Sequence, residues 1–234
     1  MTDLPDGTPP VAVIIPVLNE AAALPKVLAG IPPWVRHVIV ADNGSSDGSA
    51  DIARAGGAIV VTEPRRGYGS ACLKAIAALP NEVGIVVFMD GDASDDAADM
   101  AALVAPIARG EADLVLGSRV MGQREKGSLT PQQIFGNALA CALIRMFWGV
   151  KFTDLGPFRA IGRAALERLK MADPDYGWTV EMQVRAAKQG LVCREIPARY
   201  RRRIGTSKVS GTVRGVINAG TKILYVIGRE KVRR

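Results

Sequence analysis

The stretch Ile85-Val86-Val87-Phe88-Met89-Asp90-Gly91-Asp92-Ala93-Ser94-Asp95-Asp96 runs from five apolar residues straight into a cluster of carboxylates. Its first half has the length and composition of a buried strand. In an open α/β sheet ligands bind beyond the carboxyl ends of the strands, so this spacing places Asp90 and Asp92 beside a ligand. Two carboxylates one residue apart suit a hard divalent cation. Mg²⁺ takes one or two protein carboxylates and fills its other positions with water and phosphate oxygens, which makes a nucleoside diphosphate a natural third party. Taken alone, the triplet also fits a polar loop capping the next helix, with Asp95 as its N-cap.

Working outward, apolar runs of strand length recur at 11–15, 37–40, 58–61 and 114–117. Helical segments are expected between them, over 19–28, 49–55, 71–79 and 97–107. Strands alternating with helices, through connections too long for hairpins, imply an α/β fold with a mostly parallel central sheet flanked by helices. The expected organisation is a single domain, 1–234. Residues 10–119 read as a nucleotide-fold half, 120–208 as a second, less regular half, and 209–234 as an amphipathic C-terminal helix. In the second half the sequence suggests a mobile loop over 121–130, helices over 131–148, 163–169 and 178–188, and a strand over 192–200.

With 234 residues, 48% of them hydrophobic, the chain can bury a sizeable core, and its net charge of +7 favours a polyanionic or phosphorylated partner. The three cysteines are far apart, which indicates neither a disulfide framework nor a zinc site and suits a reducing cytoplasm. The single histidine, His37, is placed at a loop edge and argues against a Ser-His-Asp or His-ligated metal mechanism. No signal peptide is expected at the N-terminus. The apolar stretch 134–150 contains Arg145 and falls short of the ~20 residues that a spanning helix needs.

Three ordered motifs carry a resemblance: Ile15-Pro16-Val17-Leu18-Asn19-Glu20, Asp42-Asn43-Gly44-Ser45-Ser46-Asp47-Gly48, and Asp90-Gly91-Asp92. Together they resemble glycosyltransferase family 2. Thr153-Asp154 with Gly156-Pro157-Phe158-Arg159, and Arg201-x-Arg203-x-Gly205-x-Ser207-Lys208, are similar to its polyprenyl-phosphate branch, the dolichol-phosphate mannose and glucose synthases. The resemblance implies a GT-A fold, a nucleotide-sugar donor linked to UDP or GDP, Mg²⁺ or Mn²⁺ as cofactor, and inverting hexosyl transfer to a polyprenyl phosphate. Asp90 and Asp92 would hold the metal. Pro16, Leu18, Asn19 and Glu20 would line the base and ribose pocket, with Asp42 on the base edge and Gly67 and Gly91 also at the donor.

Gly67-Tyr68-Gly69-Ser70 precedes a helix and would let a phosphate or sugar approach closely, with Arg65 or Arg66 in reach. Arg119, Arg201, Arg203, Ser207 and Lys208 are the expected acceptor-phosphate ligands, since forked guanidiniums suit a phosphate head. Strand alternation would put Arg199, Arg201 and Arg203 on one side. Asp154 and Glu181 are the remaining carboxylates. They would act as base toward a hydroxyl acceptor, or orient sugar and acceptor if the acceptor is a phosphate, which needs no proton removed.

Other readings stay open at this stage: a family 2 enzyme acting on a glycan or small-molecule hydroxyl, a nucleotidyltransferase, or a non-catalytic basic module at a membrane. With no interleaved aromatics beyond Tyr200, nucleic acid is not an expected partner. A polyprenyl acceptor would require an anionic membrane surface or a membrane-embedded partner protein. The expected location is cytoplasmic, peripheral on the inner membrane face. Residues 134–148 and the C-terminal helix are the candidate docking elements, the latter through Val213, Val216, Ile217, Gly220, Leu224 and Ile227 on one face.

Overall fold

The structure is a computed structural model that describes residues 4–205 and 213–233. Ser207 and Lys208 lie outside the described residues. In chain order the first half comprises β1 (Val11–Val17), α1 (Leu24–Gly30), β2 (His37–Asp42), α2 (Ser49–Ala55), β3 (Ile59–Thr62), α3 (Tyr68–Ala77), β4 (Ile85–Phe88), α4 (Met100–Ala108) and β5 (Leu114–Ser118). The second half adds α5 (Pro131–Trp148), β6 (Arg159–Gly162), α6 (Arg163–Leu169), α7 (Trp178–Lys188), β7 (Cys193–Pro197) and α8 (Val213–Val232).

The strands form one seven-stranded sheet in the order β3-β2-β1-β4-β6-β5-β7. All pairings are parallel except those of β6, which runs antiparallel to both β4 and β5. Strand alternation feeds two cores. Ala12, Ile14, Val86 and Phe88 face α3, α5, α6, α7 and α8, whereas Val11, Val13, Ile15, Ile85 and Val87 face α1, α2 and α4. From β1 the chain winds outward through β2 to β3, while β4 lies on its other side. The carboxyl ends of β1 and β4 therefore flank the point where strand order reverses, and ligand crevices form there.

Several local expectations are corrected. Residues 19–23 form a turn, and α1 begins only at Leu24, with Pro25 in its first turn. His37 opens β2, its ring paired with Glu82 at 2.9 Å. β6 was not foreseen, because four residues beside a Gly-Pro motif carry no periodicity. The segment 121–130 is held in place: Tyr200 N donates to the Gln123 carbonyl and Glu125 N to that of Tyr200, both at 2.9 Å. β7 stops at Pro197, so Arg199, Arg201 and Arg203 do not alternate on a strand face.

The helix α8 packs on α5 and α7 through Ile223, Val226 and Ile227, while Leu224 stays 45% exposed; the expected face joining Gly220, Leu224 and Ile227 is thus split between solvent and core. The side chains of Val213, Val216 and Ile217 lie outside the described residues.

Candidate active site

At the carboxyl ends of β1 and β4 lies a cleft of about 280 Å³. Pro16, Leu18, Glu20, Gly67, Asp90, Gly91, Asp92 and Arg203 line it, all of them expected from sequence. Val17, Asn43, Arg66, Tyr68, Asp175 and Tyr176 line it as well. Gly91 is tightly packed: a Cβ there would lie 3.0 Å from Val17 Cγ2, so that side chain would have to give where the ends of β1 and β4 converge. The turn after it places Ala93 at a φ of 62°, a left-handed conformation that costs a non-glycine residue of order 1 kcal/mol.

Asp92 is buried. Its Oδ1 accepts hydrogen bonds from Ser94 N (2.9 Å) and Ser94 Oγ (2.5 Å), which fixes the carboxylate plane. Its Oδ2 meets Nη2 of Arg203 at 3.1 Å, and the same Nη2 lies 3.1 Å from Glu20 Oε1. Asp90 accepts a hydrogen bond from the Tyr68 hydroxyl at 3.1 Å. Burial, reinforced by the Asp92 charge, pushes the Asp90 carboxyl up to about 7. Asp95 supports the turn by accepting from Asp90 N at 3.2 Å, and burial holds its own pKa well above the carboxylate range. Asp96, rather than Asp95, caps the 3-10 turn Ala97–Asp99 that leads into α4, accepting from Ala98 N.

Among the described residues no three carboxylate, histidine or cysteine side chains gather tightly enough to enclose a metal. Asp90 and Asp92 nonetheless fit a hard cation that completes its shell with water and phosphate oxygens. Asp92 Oδ2 already faces a positive charge, that of Arg203.

Asn19 and Asp42 are not part of the cleft lining. Asn19 adopts φ 55°, donates from its backbone N to Ser45 Oγ and accepts from Ser46 N; Asp42 accepts from Ser45 N at 3.2 Å. The Asn19 side chain ties the turn after β1 to the turn after β2, and Asp42 holds the latter from within. Asn43 holds the next loop, donating to the carbonyls of Glu63 and Arg65 and accepting from Gly67 N. The glycines of the 67–70 stretch, of which Gly67 lines the cleft, also allow a close backbone contact. A Cβ on Gly69 would overlap the Asp173 carbonyl and one on Gly67 that of Pro174, while Ser70 N donates to Pro174 O at 2.8 Å. The start of α3 is thereby sutured to segment 173–176, which brings Asp175 and Tyr176 to the cleft. No local sequence signal announces that contact across some hundred residues.

The structure also redirects four expected catalytic or acceptor residues. Asp154 is fully buried and grips Arg119 in a fork, with Oδ2 2.7 Å from Nε and Oδ1 2.7 Å from Nη2, and it also accepts from Arg119 N. Burial works to lower the Arg119 pKa, but the pairing with Asp154 outweighs it and raises it, and its guanidinium sits 5.1 Å from the centroid of the Tyr200 ring. Glu181 is fully buried away from the cleft and accepts from Ala172 N (3.0 Å) and Asp173 N (2.7 Å), with Arg185 and Arg229 at 2.8 and 2.9 Å from its other oxygen. Neither carboxylate lines the cleft as a base. Arg201 is spent on Asp96 at 2.6 Å, as Arg199 is on Asp99. Among the described members of the basic cluster, Arg203 is the one that lines the cleft. Arg159 of the downstream motif is buried, donating to the carbonyls of Leu155, Gly156 and Thr179; burial lowers it to about 10.

A mostly parallel sheet with paired carboxylates at its switch point defines a GT-A nucleotide-binding protein. The fold matches that of glucosyl-3-phosphoglycerate synthase from Mycobacterium tuberculosis, solved with Mn²⁺, UDP and phosphoglyceric acid, with a TM-score of 0.77, 23% identity, and 96% of this chain and 79% of that one covered. The signature of glycosyl transferase family 2 matches residues 12–169, and the chain belongs to that family. An uncharacterized glycosyltransferase of M. tuberculosis is 40% identical over 212 residues, 89% of this chain and 94% of that protein. Polyprenol monophosphomannose synthase of Mycolicibacterium smegmatis is 28% identical over 218 residues, 86% of this chain and 81% of its own. The protein is accordingly a glycosyltransferase.

Proposed function

We propose that the protein transfers a hexose from a UDP- or GDP-linked sugar to a phosphate monoester, polyprenyl phosphate, with inversion and release of the nucleoside diphosphate. The observation that carries this reading is the convergence of Asp90, Asp92 and Arg203 on one cleft at the switch point. In this reading Asp90 and Asp92 hold Mg²⁺ or Mn²⁺, which neutralises charge on the departing diphosphate. Pro16, Leu18 and Glu20 contact the nucleoside, with residues 10–119 serving the donor and the second half the acceptor. Asp154 and Glu181, the two carboxylates expected from sequence to act as base toward a hydroxyl acceptor, are held in ion pairs outside the cleft lining. A phosphate monoester, with a second pKa near ~6, needs no base, which favours it as acceptor.

The named polyprenol relative supports the lipid form of that acceptor. So does the outer face of α5, where Phe135, Leu139, Ala142 and Met146 form an exposed stripe, Phe135 at 71% and Met146 at 65% exposure. A helix with such a stripe can lie in the membrane interface. No helix among the described residues is long and apolar enough to cross a membrane. A second reading, a small soluble phosphate acceptor, is favoured by the phosphoglycerate synthase neighbours. The test incubates the protein and Mn²⁺ with radiolabelled UDP-glucose or GDP-mannose and either polyprenyl phosphate, 3-phosphoglycerate or no acceptor. Label extracted into organic solvent only with polyprenyl phosphate supports the lipid reading. Water-soluble product with phosphoglycerate supports the second, and transfer to neither removes the phosphate acceptor.

A further inference from the structure

We infer that Arg203 is an internal counter-cation that closes the metal site until the donor arrives, so that cation and nucleoside diphosphate bind as a coupled pair. The inference rests on the assignment of Asp92 as a metal ligand. Segment 200–204 lies along the turn after β4: Arg201 N donates to the Ser94 carbonyl at 2.8 Å and Ile204 N to that of Asp92 at 2.9 Å. These backbone bonds deliver the Arg203 side chain across the cleft, where Nη2 sits 3.1 Å from both Asp92 Oδ2 and Glu20 Oε1. Because Oδ1 of Asp92 is taken up by Ser94, Oδ2 is the oxygen a divalent cation would use, and it is the one that Arg203 holds. Two positive charges on one carboxylate oxygen repel strongly in a partly desolvated cleft. The cation must displace the guanidinium.

A second observation says where the guanidinium goes. Its Nε is buried and has no hydrogen-bond partner among the described residues, although Nε and Nη2 form the edge that grips an oxyanion with two parallel bonds. The two carboxylates engage only half of that edge. A diphosphate would fill all of it, compensating Arg203 for the loss of Asp92 as the cation takes over that oxygen. Each ligand thus removes the penalty on the other, and the coupling is reciprocal.

The experiment counts free Mn²⁺ by electron paramagnetic resonance, with and without UDP, and with GDP in parallel. Arg203→Ala and Arg203→Gln are compared with wild type, with thermal unfolding to verify the fold. Losing a charge-assisted contact to the carboxylates should tighten Mn²⁺ binding without nucleotide by roughly 10-fold or more, and weaken the nucleotide's enhancement by a similar factor. Arg203→Lys, which keeps the charge and loses the fork, should hold nucleotide-free Mn²⁺ affinity near wild type while still weakening the enhancement. Arg66 lines the same cleft, so Arg66→Ala reports the general field. Unchanged nucleotide-free Mn²⁺ affinity in both Arg203→Ala and Arg203→Gln overturns the inference, as does an equal gain in Arg66→Ala. Should Asp92→Asn leave Mn²⁺ binding untouched, the metal assignment itself falls, and the inference with it.

Discussion

Replacing Glu181 with alanine tests whether its carboxylate belongs to the chemistry or to the scaffold. The side chain is fully buried, and its removal strands two backbone donors, Ala172 N and Asp173 N, together with the guanidiniums of Arg185 and Arg229. Arg185 and Arg229 are partly exposed and keep Glu230 as a partner, at 3.4 and 3.0 Å, so their loss is softened. Breaking a buried ion pair costs about 3–5 kcal/mol, and the two stranded N–H groups keep the expected loss in that range despite this softening. For a chain of this size each kcal/mol moves the melting temperature by roughly 2–4 °C, which gives a fall of about 6–20 °C. Urea unfolding should show the midpoint drop with little change in slope. Transfer per folded molecule, assayed well below the melting temperature, should stay within a few-fold of wild type. A variant that melts like wild type yet transfers no sugar would refute this reasoning and return Glu181 to the substrate.

Asp92→Asn keeps the hydrogen bonds from Ser94 but removes the charge, and should cut transfer by ~10³-fold or more while lowering the melting temperature less than Glu181→Ala does, because Arg203 keeps Glu20 as a partner; near-normal turnover with excess chelator present would contradict the metal reading. Burial holds the Asp90 pKa at about 7, above its unfolded value. Below about pH 7 a proton competes for that carboxyl, so Mn²⁺ affinity should fall up to tenfold per pH unit on acidification and level off above it, as titrations from pH 5.5 to 8.5 would read. The same shift means that ionising Asp90 opposes folding in the metal-free protein, so this group's contribution to stability declines as pH rises from about 4 to about 7. Phe135→Glu with Met146→Glu, both at exposed positions, should abolish sedimentation with anionic vesicles at low salt without lowering the melting temperature. Wild-type protein that stays in the supernatant would count against the membrane surface.

The alternation of apolar runs and helical segments is local information, and it was enough to determine an α/β fold with a mostly parallel sheet. An apolar run ending in Asp90-Gly91-Asp92 likewise says where those carboxylates must go, since a strand that ends in a parallel sheet points its next residues at the crevice. The antiparallel insertion of β6 between β4 and β5 was not legible, because four residues have no period and the pairing is made with distant partners. Charge patterns were the poorest guide. Sequence shows that Arg119, Arg201, Arg203, Asp154 and Glu181 are ionisable, but which oxygen each cation meets is set by packing between elements far apart in the chain. Tertiary structure alone put Arg119 onto Asp154, Glu181 onto Arg229, and Arg203 across Glu20 and Asp92, whereas the Glu181–Arg185 pair is an i,i+4 contact within α7 that the spacing itself allows. A buried charge is stable only beside its counter-charge, and that neighbour is chosen by the fold.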